Sequence, residues 1–435
     1  MVSKLSSDEV LNFLVIVSLI LITARILGEI CRRYKQSTVI GEIIAGIILG
    51  PSLFGSLFPH QFNEIFLSQP RSYAAFDGLA NIGIILLMFI AGFEVDLKQI
   101  RKQGKQAASI SLMGLVFPFV LGFATVWFFH DKIFSLPSTS RVIPAMFFGT
   151  ALSITALSVI AKILMDMEML RSRLGNLILT AAMINDFIGW ILFSIIIQLM
   201  RTGKQDGSLS SVEMVLIYTV VLLTVGRWLV DKILLVANKF LPIGAMMTLA
   251  VCLCLLSAVF TEYIGVRSIF GAFLMGVVVG DSKYFPERLQ QILHQFVVNI
   301  IAPLFFASIG LRVNFVANFN IELVAIILLI ACVAKIIGTG IGSRMSGLSV
   351  NESYVIAFGM NSRGSQEIVL GALALQAKII DEPVFVALIF MTVVTILMAG
   401  PLMKYYLNKE NALKAAAEAD IPVIPNPENS GFRVS

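Results

Sequence analysis

The feature that most constrains this chain is a carboxylate in the middle of an apolar stretch long enough to cross a bilayer. Residues 174–198 read LGNLILTAAMINDFIGWILFSIIIQ, almost unbroken in apolar character, with Asn185-Asp186 near the centre. About twenty such residues span the hydrocarbon core as a helix. A charge at that depth costs roughly 3 kcal/mol or more unless it faces water, a partner or an ion. Ionisable residues inside membranes mark ion and proton pathways, so Asp186 is the first candidate site residue. The competing reading is a structural aspartate satisfied by neighbouring helices.

Composition generalises this one segment to the whole chain. Of 435 residues, 57% are hydrophobic and 14% charged, against about 45–50% and 25% for a soluble domain. The chain reads as an all-α polytopic membrane protein, with membrane lipids around it; no enzymatic activity is expected. The net charge of +5 gives no reason to expect nucleic acid; in such a chain the position of the basic residues is what matters. Cys31, Cys252, Cys254 and Cys332 lie in or beside apolar segments and lack zinc-site spacing, so they read as packing residues. No cofactor is expected. No cleavable signal is expected either, because the apolar run from Val10 is too long.

Thirteen candidate spans follow from the apolar runs: 10–29, 38–56, 76–93, 107–129, 142–164, 174–200, 212–236, 243–262, 266–280, 292–311, 322–342, 352–376 and 384–406. With the N-terminus outside, the inner segments collect eighteen Lys and Arg, from Arg32 to Lys414, and the outer ones nine. That asymmetry predicts an outside N-terminus and a cytoplasmic C-terminus.

An internal repeat organises the spans. VIGEIIAGIILGPS (39–52) aligns without gaps on IFGAFLMGVVVGDS (269–282), so that Gly41, Gly46, Gly50 and Ser52 fall on Gly271, Gly276, Gly280 and Ser282. The following spans match as well: Asn81, Gly92, Val95 and Asp96 fall on Asn299, Gly310, Val313 and Asn314. Spans 1–6 thus repeat as spans 8–13. Seven spans separate equivalent helices, so the two six-helix halves are inverted, a signature of secondary transporters whose site lies where broken helices meet at mid-membrane.

The repeat makes spans 5 and 12 equivalent, and both look broken. Residues 148–156 are apolar but studded with Gly149, Thr150, Ser153 and Thr155. Residues 359–367 include Asn361, Ser362, Arg363, Gly364, Gln366 and Glu367, too polar for a continuous lipid-facing helix. Unwound backbone at that depth survives only where it lines a cavity or is buried in protein. It would offer carbonyl and hydroxyl oxygens to a monovalent cation and aim half-helix dipoles at it. Ordinary Ser/Thr packing between membrane helices is the alternative. Lys335 sits mid-span in span 11, where it could offset a carboxylate or snorkel to the cytoplasmic face. Arg363 and Glu367, four apart, could form a local ion pair. Glu29, Glu42, Arg25 and Arg227 lie near span ends and read as interfacial.

Asn185-Asp186 followed by Trp190, the Ala-x-Ser153-x-Thr155-Ala156 run before it, and Pro303-Leu304-Phe305-Phe306 with Gly310 resemble the monovalent cation:proton antiporters. The likeness is to the branch of the plant cation/proton exchangers and their bacterial relatives, and it spans residues 10–406. It implies a homodimer with a dimerisation scaffold (10–93 and 243–311), a mobile ion-translocating core (107–200 and 322–406), a linker helix (212–236) and a short cytoplasmic tail (407–435). It also implies elevator-type movement of the core. Electrogenic relatives carry Asp-Asp where this chain has Asn185-Asp186, with the span-11 lysine paired to the first aspartate. The tail shows no glycine-rich nucleotide-binding fingerprint.

The expected function is exchange of Na⁺ or K⁺ for H⁺ at one site. Asp186 takes cation or proton by turns; Asn185, Ser153, Thr155 and Thr150 orient or ligate, Asp186 and Thr155 foremost; Lys335, Arg363 and Glu367 set the charge of the core. The alternative is a cation channel or a non-transporting ion sensor on the same scaffold. The plasma (inner) membrane and a role in pH homeostasis complete the expectation.

Overall fold

Three helix starts in this chain are set by side chains that satisfy orphan backbone donors. Ser6 and Glu9 close a reciprocal capping box at the first helix, and Ser349 and Glu352 close another far along the chain. Asn320 accepts from the backbone nitrogens of Glu322 and Leu323 to start a third. The computed structural model describes residues 4–34, 38–93, 95, 97–133, 141–169, 172–201, 208–264 and 268–419. Among these residues all regular structure is helical.

In order the helices are α1 (Ser7–Arg33), α2 (Thr38–Leu49), the short α3 (Phe54–Leu57) and α4 (Pro59–Phe62), α5 (Pro70–Phe93), α6 (Leu97–Ile133), α7 (Val142–Ser153), α8 (Leu157–Asp166) and α9 (Arg173–Arg201). There follow α10 (Ser208–Val221), α11 (Arg227–Phe240), α12 (Ile243–Tyr263), α13 (Ser268–Gly280), α14 (Glu287–Phe296) and α15 (Ala302–Arg312). The last four are α16 (Ile321–Met345), α17 (Val350–Met360), α18 (Ser365–Gln376) and α19 (Glu382–Ala419). Single π-helical turns at Leu222–Gly226 and Val297–Ile301 carry α10 into α11 and α14 into α15 without a break.

Among the described residues, nine helices are long and apolar enough to cross a membrane. Four of the thirteen expected spans fall outside that set. Spans 142–164 and 352–376 are each broken in two, 266–280 folds as the 13-residue α13, and 212–236 falls on the run α10–α11. The expected tail begins as a continuation of α19 to Ala419, and residues 420–435 lie outside the described residues.

The sequence repeat has a geometric counterpart. A Cβ on Gly46 would overlap the Ala307 carbonyl of α15, and one on Gly310 would overlap the backbone of Gly46 and Ile47. A Cβ on Gly276 would overlap the Phe89 carbonyl of α5, and one on Gly92 the backbone of Phe273 and Val277. Gly46 is the repeat partner of Gly276 and Gly92 of Gly310. The α2–α15 and α13–α5 crossings are therefore the same close backbone approach, made once by each pair of equivalent helices.

Packing sorts the helices into two groups. α1, α2, α5, α12, α13 and α15 pack on one another, and α6–α9 pack with α16–α19. The groups meet where α9 touches α13, with Phe187 and Trp190 of α9 against Phe273 at ring-centroid separations of 6.3 and 6.0 Å. Two charges that read as interfacial are inside the protein's own contacts. Glu42 is buried in α2, and Arg227 pairs with the buried Asp281.

Candidate functional site

Two chain breaks define the site. α7 ends at Ser153, and Ile154 turns to extended backbone (φ −72°, ψ 152°) before α8 resumes at Leu157. α17 ends at Met360 and α18 starts at Ser365. The broken segments cross each other directly: the Ala156 nitrogen donates to the Ser362 carbonyl (3.1 Å), and Thr155 Oγ1 donates to the Met360 carbonyl (2.9 Å). A side chain at Gly364 would run into Ala156 and Val159, so glycine is what lets the two strands approach.

A helix that ends in the protein interior leaves carbonyls without partners and a partial negative charge. Two cations answer this at the end of α7. Arg363 donates from Nη1 to the Ala151 carbonyl and from Nη2 to the Leu152 carbonyl, both at 2.9 Å. Lys335 donates to the Ser153 carbonyl and to the Gly114 carbonyl of α6 (2.9 Å). Both side chains are fully buried. Arg363 also forms an ion pair with Glu367, whose other oxygen accepts from the Gly364 nitrogen (3.2 Å) and caps the start of α18. The expected local pair therefore exists, across the break instead of along one helix face.

Asp186 lies on α9, 3% exposed, and its Oδ2 accepts from Gln366 Nε2 at 2.8 Å. Its neighbour Asn185 is fully buried. With both amide atoms satisfied, Asn185 donates from Nδ2 to Ser111 Oγ (2.5 Å) and to the Ser111 carbonyl (2.9 Å), and its Oδ1 accepts from Lys335 Nζ (3.1 Å). The amide thus serves as the lysine's third acceptor.

The expected residues divide cleanly. Asn185, Ser153, Lys335, Arg363 and Glu367 join one hydrogen-bonded network around the end of α7, while Thr155 ties that break to α17. Asp186 joins α18 through Gln366. The Ser153 hydroxyl donates to the Gly149 and Leu115 carbonyls, so Ser153 serves the network through its carbonyl. Thr150 stands apart, its hydroxyl bonded back to Met146 within α7. Ser111 is not among the expected residues, and Gln366 is expected only as one polar residue of the 359–367 break. Gln366 sits inside the polar 359–367 stretch, and its charge-neutral amide hid it among charged neighbours. Ser111 and the Gly114 carbonyl come from α6, past the basic stretch 98–105 of the sequence, where a serine and a backbone carbonyl in an apolar run carry little signal.

Formally, the carboxylates of Asp186 and Glu367 balance the cations of Lys335 and Arg363. Among the described residues no group of three His, Cys, Asp or Glu is placed to hold a multivalent metal ion. The oxygens at the crossing are the hard, weakly charged kind that suit an alkali cation.

Residues 16–409 match the family described as sodium/hydrogen exchanger, transmembrane. The Na(+)/H(+) antiporter NhaS4 of Synechocystis sp. is 33% identical over 399 residues, covering 90% of this chain and 95% of that protein. Cation/H(+) antiporter 17 of Arabidopsis thaliana is 31% identical over 396 residues, 89% of this chain but 47% of the plant protein, so the chain spans about half of that relative. In fold, the sodium proton antiporter MjNhaP1 of Methanocaldococcus jannaschii superposes with a TM-score of 0.63 at 18% identity, over 93% of this chain and 99% of that one.

Proposed function

The chain belongs to the sodium/hydrogen exchanger family, an integral multi-pass membrane protein, and from that premise we propose that it exchanges Na⁺ or K⁺ for H⁺ at Asp186. The observation that carries the reading is the position of Asp186. It is the buried carboxylate beside the crossed breaks, whereas Glu367 is held by Arg363 and by the start of α18. Its relatives are named as sodium/proton and cation/proton antiporters.

Competition at one carboxylate is enough for exchange. Protonation removes the charge that holds the cation, and the cation in turn displaces the proton. Lys335, bonded to the Ser153 and Gly114 carbonyls and to Asn185 Oδ1, keeps its proton throughout as a cap on α7. The loaded site then carries the same charge with either substrate, and exchange is electroneutral. Thr155 and the broken backbone supply further oxygens, and Arg363 and Glu367 hold the two half-helix ends in register.

Movement follows the two packing groups. The α6–α9 and α16–α19 group slides as an elevator against a scaffold of α1, α2, α5, α12, α13 and α15, with α10–α11 as linker and Phe273 against Phe187 and Trp190 at the sliding face. The scaffold pairs two copies; α1 and α12 both present exposed apolar side chains, among them Leu11, Ile22, Leu256 and Val259. The orientation is N-terminus outside and C-terminus cytoplasmic, in the plasma (inner) membrane, in service of pH homeostasis. The test is proton flux in proteoliposomes under imposed Na⁺ and K⁺ gradients. An antiporter moves protons against the cation gradient at zero voltage; flux that simply follows voltage would make the protein a channel, and no flux at all a sensor.

A further inference from the structure

Gln366 is the polar side chain at the site whose chemistry is only half used. It is 6% exposed, on the first turn of α18, and its Nε2 donates to Asp186 Oδ2 at 2.8 Å. Its Oε1 is fully buried and accepts no hydrogen bond among the described residues. A buried acceptor left unused is costly, so such an atom in a native site calls for an explanation. Packing does not supply one, since a methionine of similar length would fill the space without the cost.

An amide is the neutral side chain that offers a donor and an acceptor at one place. Asp186 has to pass through three states in the proposed cycle: ionised and empty, protonated, and cation-bound. The first needs a donor, which Nε2 supplies in this structure. The protonated acid needs an acceptor for its O–H. The cation-bound carboxylate leaves an adjacent cation that needs another oxygen. Turning the terminal amide about its last torsion brings Oε1 to Asp186 and meets both demands, and that torsion is a soft one. A carboxylate at 366 could not serve the empty state, and an apolar residue could serve none.

We propose that Gln366 is a cation ligand and the switching partner of Asp186, donating to the empty carboxylate and turning its carbonyl oxygen to the bound cation or to the protonated acid. This rests on Asp186 being the exchange site. Loss of the amide should weaken cation binding more than it slows turnover, because the oxygen is engaged only when the site is loaded.

The experiment uses the full-length protein in detergent and in proteoliposomes. Cation binding is read without flux, as the concentration of NaCl or KCl that half-saturates thermal stabilisation, with choline chloride as control. In Gln366→Met that midpoint should rise about tenfold or more for the cation that wild type binds, with the same rise in the KM for exchange and a kcat within about threefold. Gln366→Glu places a second carboxylate against Asp186 and gives the site room for two protons, so its exchange should become sensitive to imposed voltage. An unchanged midpoint in Gln366→Met, or a Gln366→Glu protein that exchanges as wild type does, overturns the assignment. If wild-type protein shows no exchange, the antiport reading fails on its own, while the binding midpoints still decide whether Gln366 touches the cation.

Discussion

Lys335 donates its ammonium to the carbonyl of Ser153, the residue at which α7 breaks. With the Gly114 carbonyl and Asn185 Oδ1 it has three acceptors from three different helices. A buried ammonium is tolerable only when its protons are all matched, and this one pins α6, α7 and α9 to α16. Removing it would strand three acceptors at the same point. Lys335→Met should therefore lower the thermal unfolding midpoint in detergent sharply, whereas Lys335→Gln, which keeps a donor, should lose much less. Equal losses in the two variants would mean that the lysine acts through its charge alone.

Asp186 plays the opposite part in the proposed exchange: its oxygen accepts from the neutral amide of Gln366, and its carboxylate is the group offered to the substrates. Asp186→Asn should abolish sodium- or potassium-driven proton movement in proteoliposomes and leave the unfolding midpoint within a few degrees of wild type. Coupled exchange surviving in that variant would move the substrate site elsewhere.

The parts of this protein that were legible in the sequence are those where a physical cost is visible in one dimension. A carboxylate in an apolar run, glycines recurring at fixed offsets, and polar residues interrupting spans 5 and 12 each announce a structural consequence, and the α7–α8 and α17–α18 breaks lie where the polar stretches put them. What stayed hidden depends on the third dimension. Lys335 reads as a charge that could offset a carboxylate or snorkel, because two of its acceptors are backbone carbonyls of other helices, which carry no residue signature. Thr150 looks equivalent to Thr155 in the string, yet it lies before the break, where a hydroxyl has its own helix to bond to, whereas Thr155 reaches Met360 of α17. Glu42 reads as interfacial from its place near a span end, but α1 and α15 close over it.

The paired glycine crossings give a prediction about the scaffold. At Gly276 the nearest atom to an added Cβ would be the Phe89 carbonyl oxygen, and backbone cannot step aside as a flexible side chain can. Gly276→Ala should separate α13 from α5 and sharply reduce the yield of folded protein. Gly244→Ala, at the start of α12 where an added Cβ meets nothing within 4 Å, should be tolerated. The comparison is made by monodispersity on size-exclusion chromatography after detergent extraction, and equal recovery of both variants would show that the close approach at Gly276 is not needed.

The charge balance of the core leads to the stoichiometry. Lys335 and Arg363 are both committed to carbonyls at the end of α7, and Glu367 to Arg363 and the Gly364 nitrogen. For any of the three to release or take up a proton during transport, a buried helix end would have to lose its cap at that moment. On the exchange proposed above, Asp186 is the group that takes up and releases the proton, and one proton is then counted for one monovalent cation. Clamping the membrane potential of proteoliposomes, with an ionophore for an ion the protein does not carry, should leave both the initial rate and the final cation distribution unmoved. The same clamp applied to Asn185→Asp, which restores a carboxylate beside the Lys335 ammonium, should bring voltage dependence, because the lysine then has a charged partner and a second group can exchange protons. A wild-type distribution that shifts with voltage would show that Lys335 gives up its proton in the cycle and that its bonds to α7 break on every turnover.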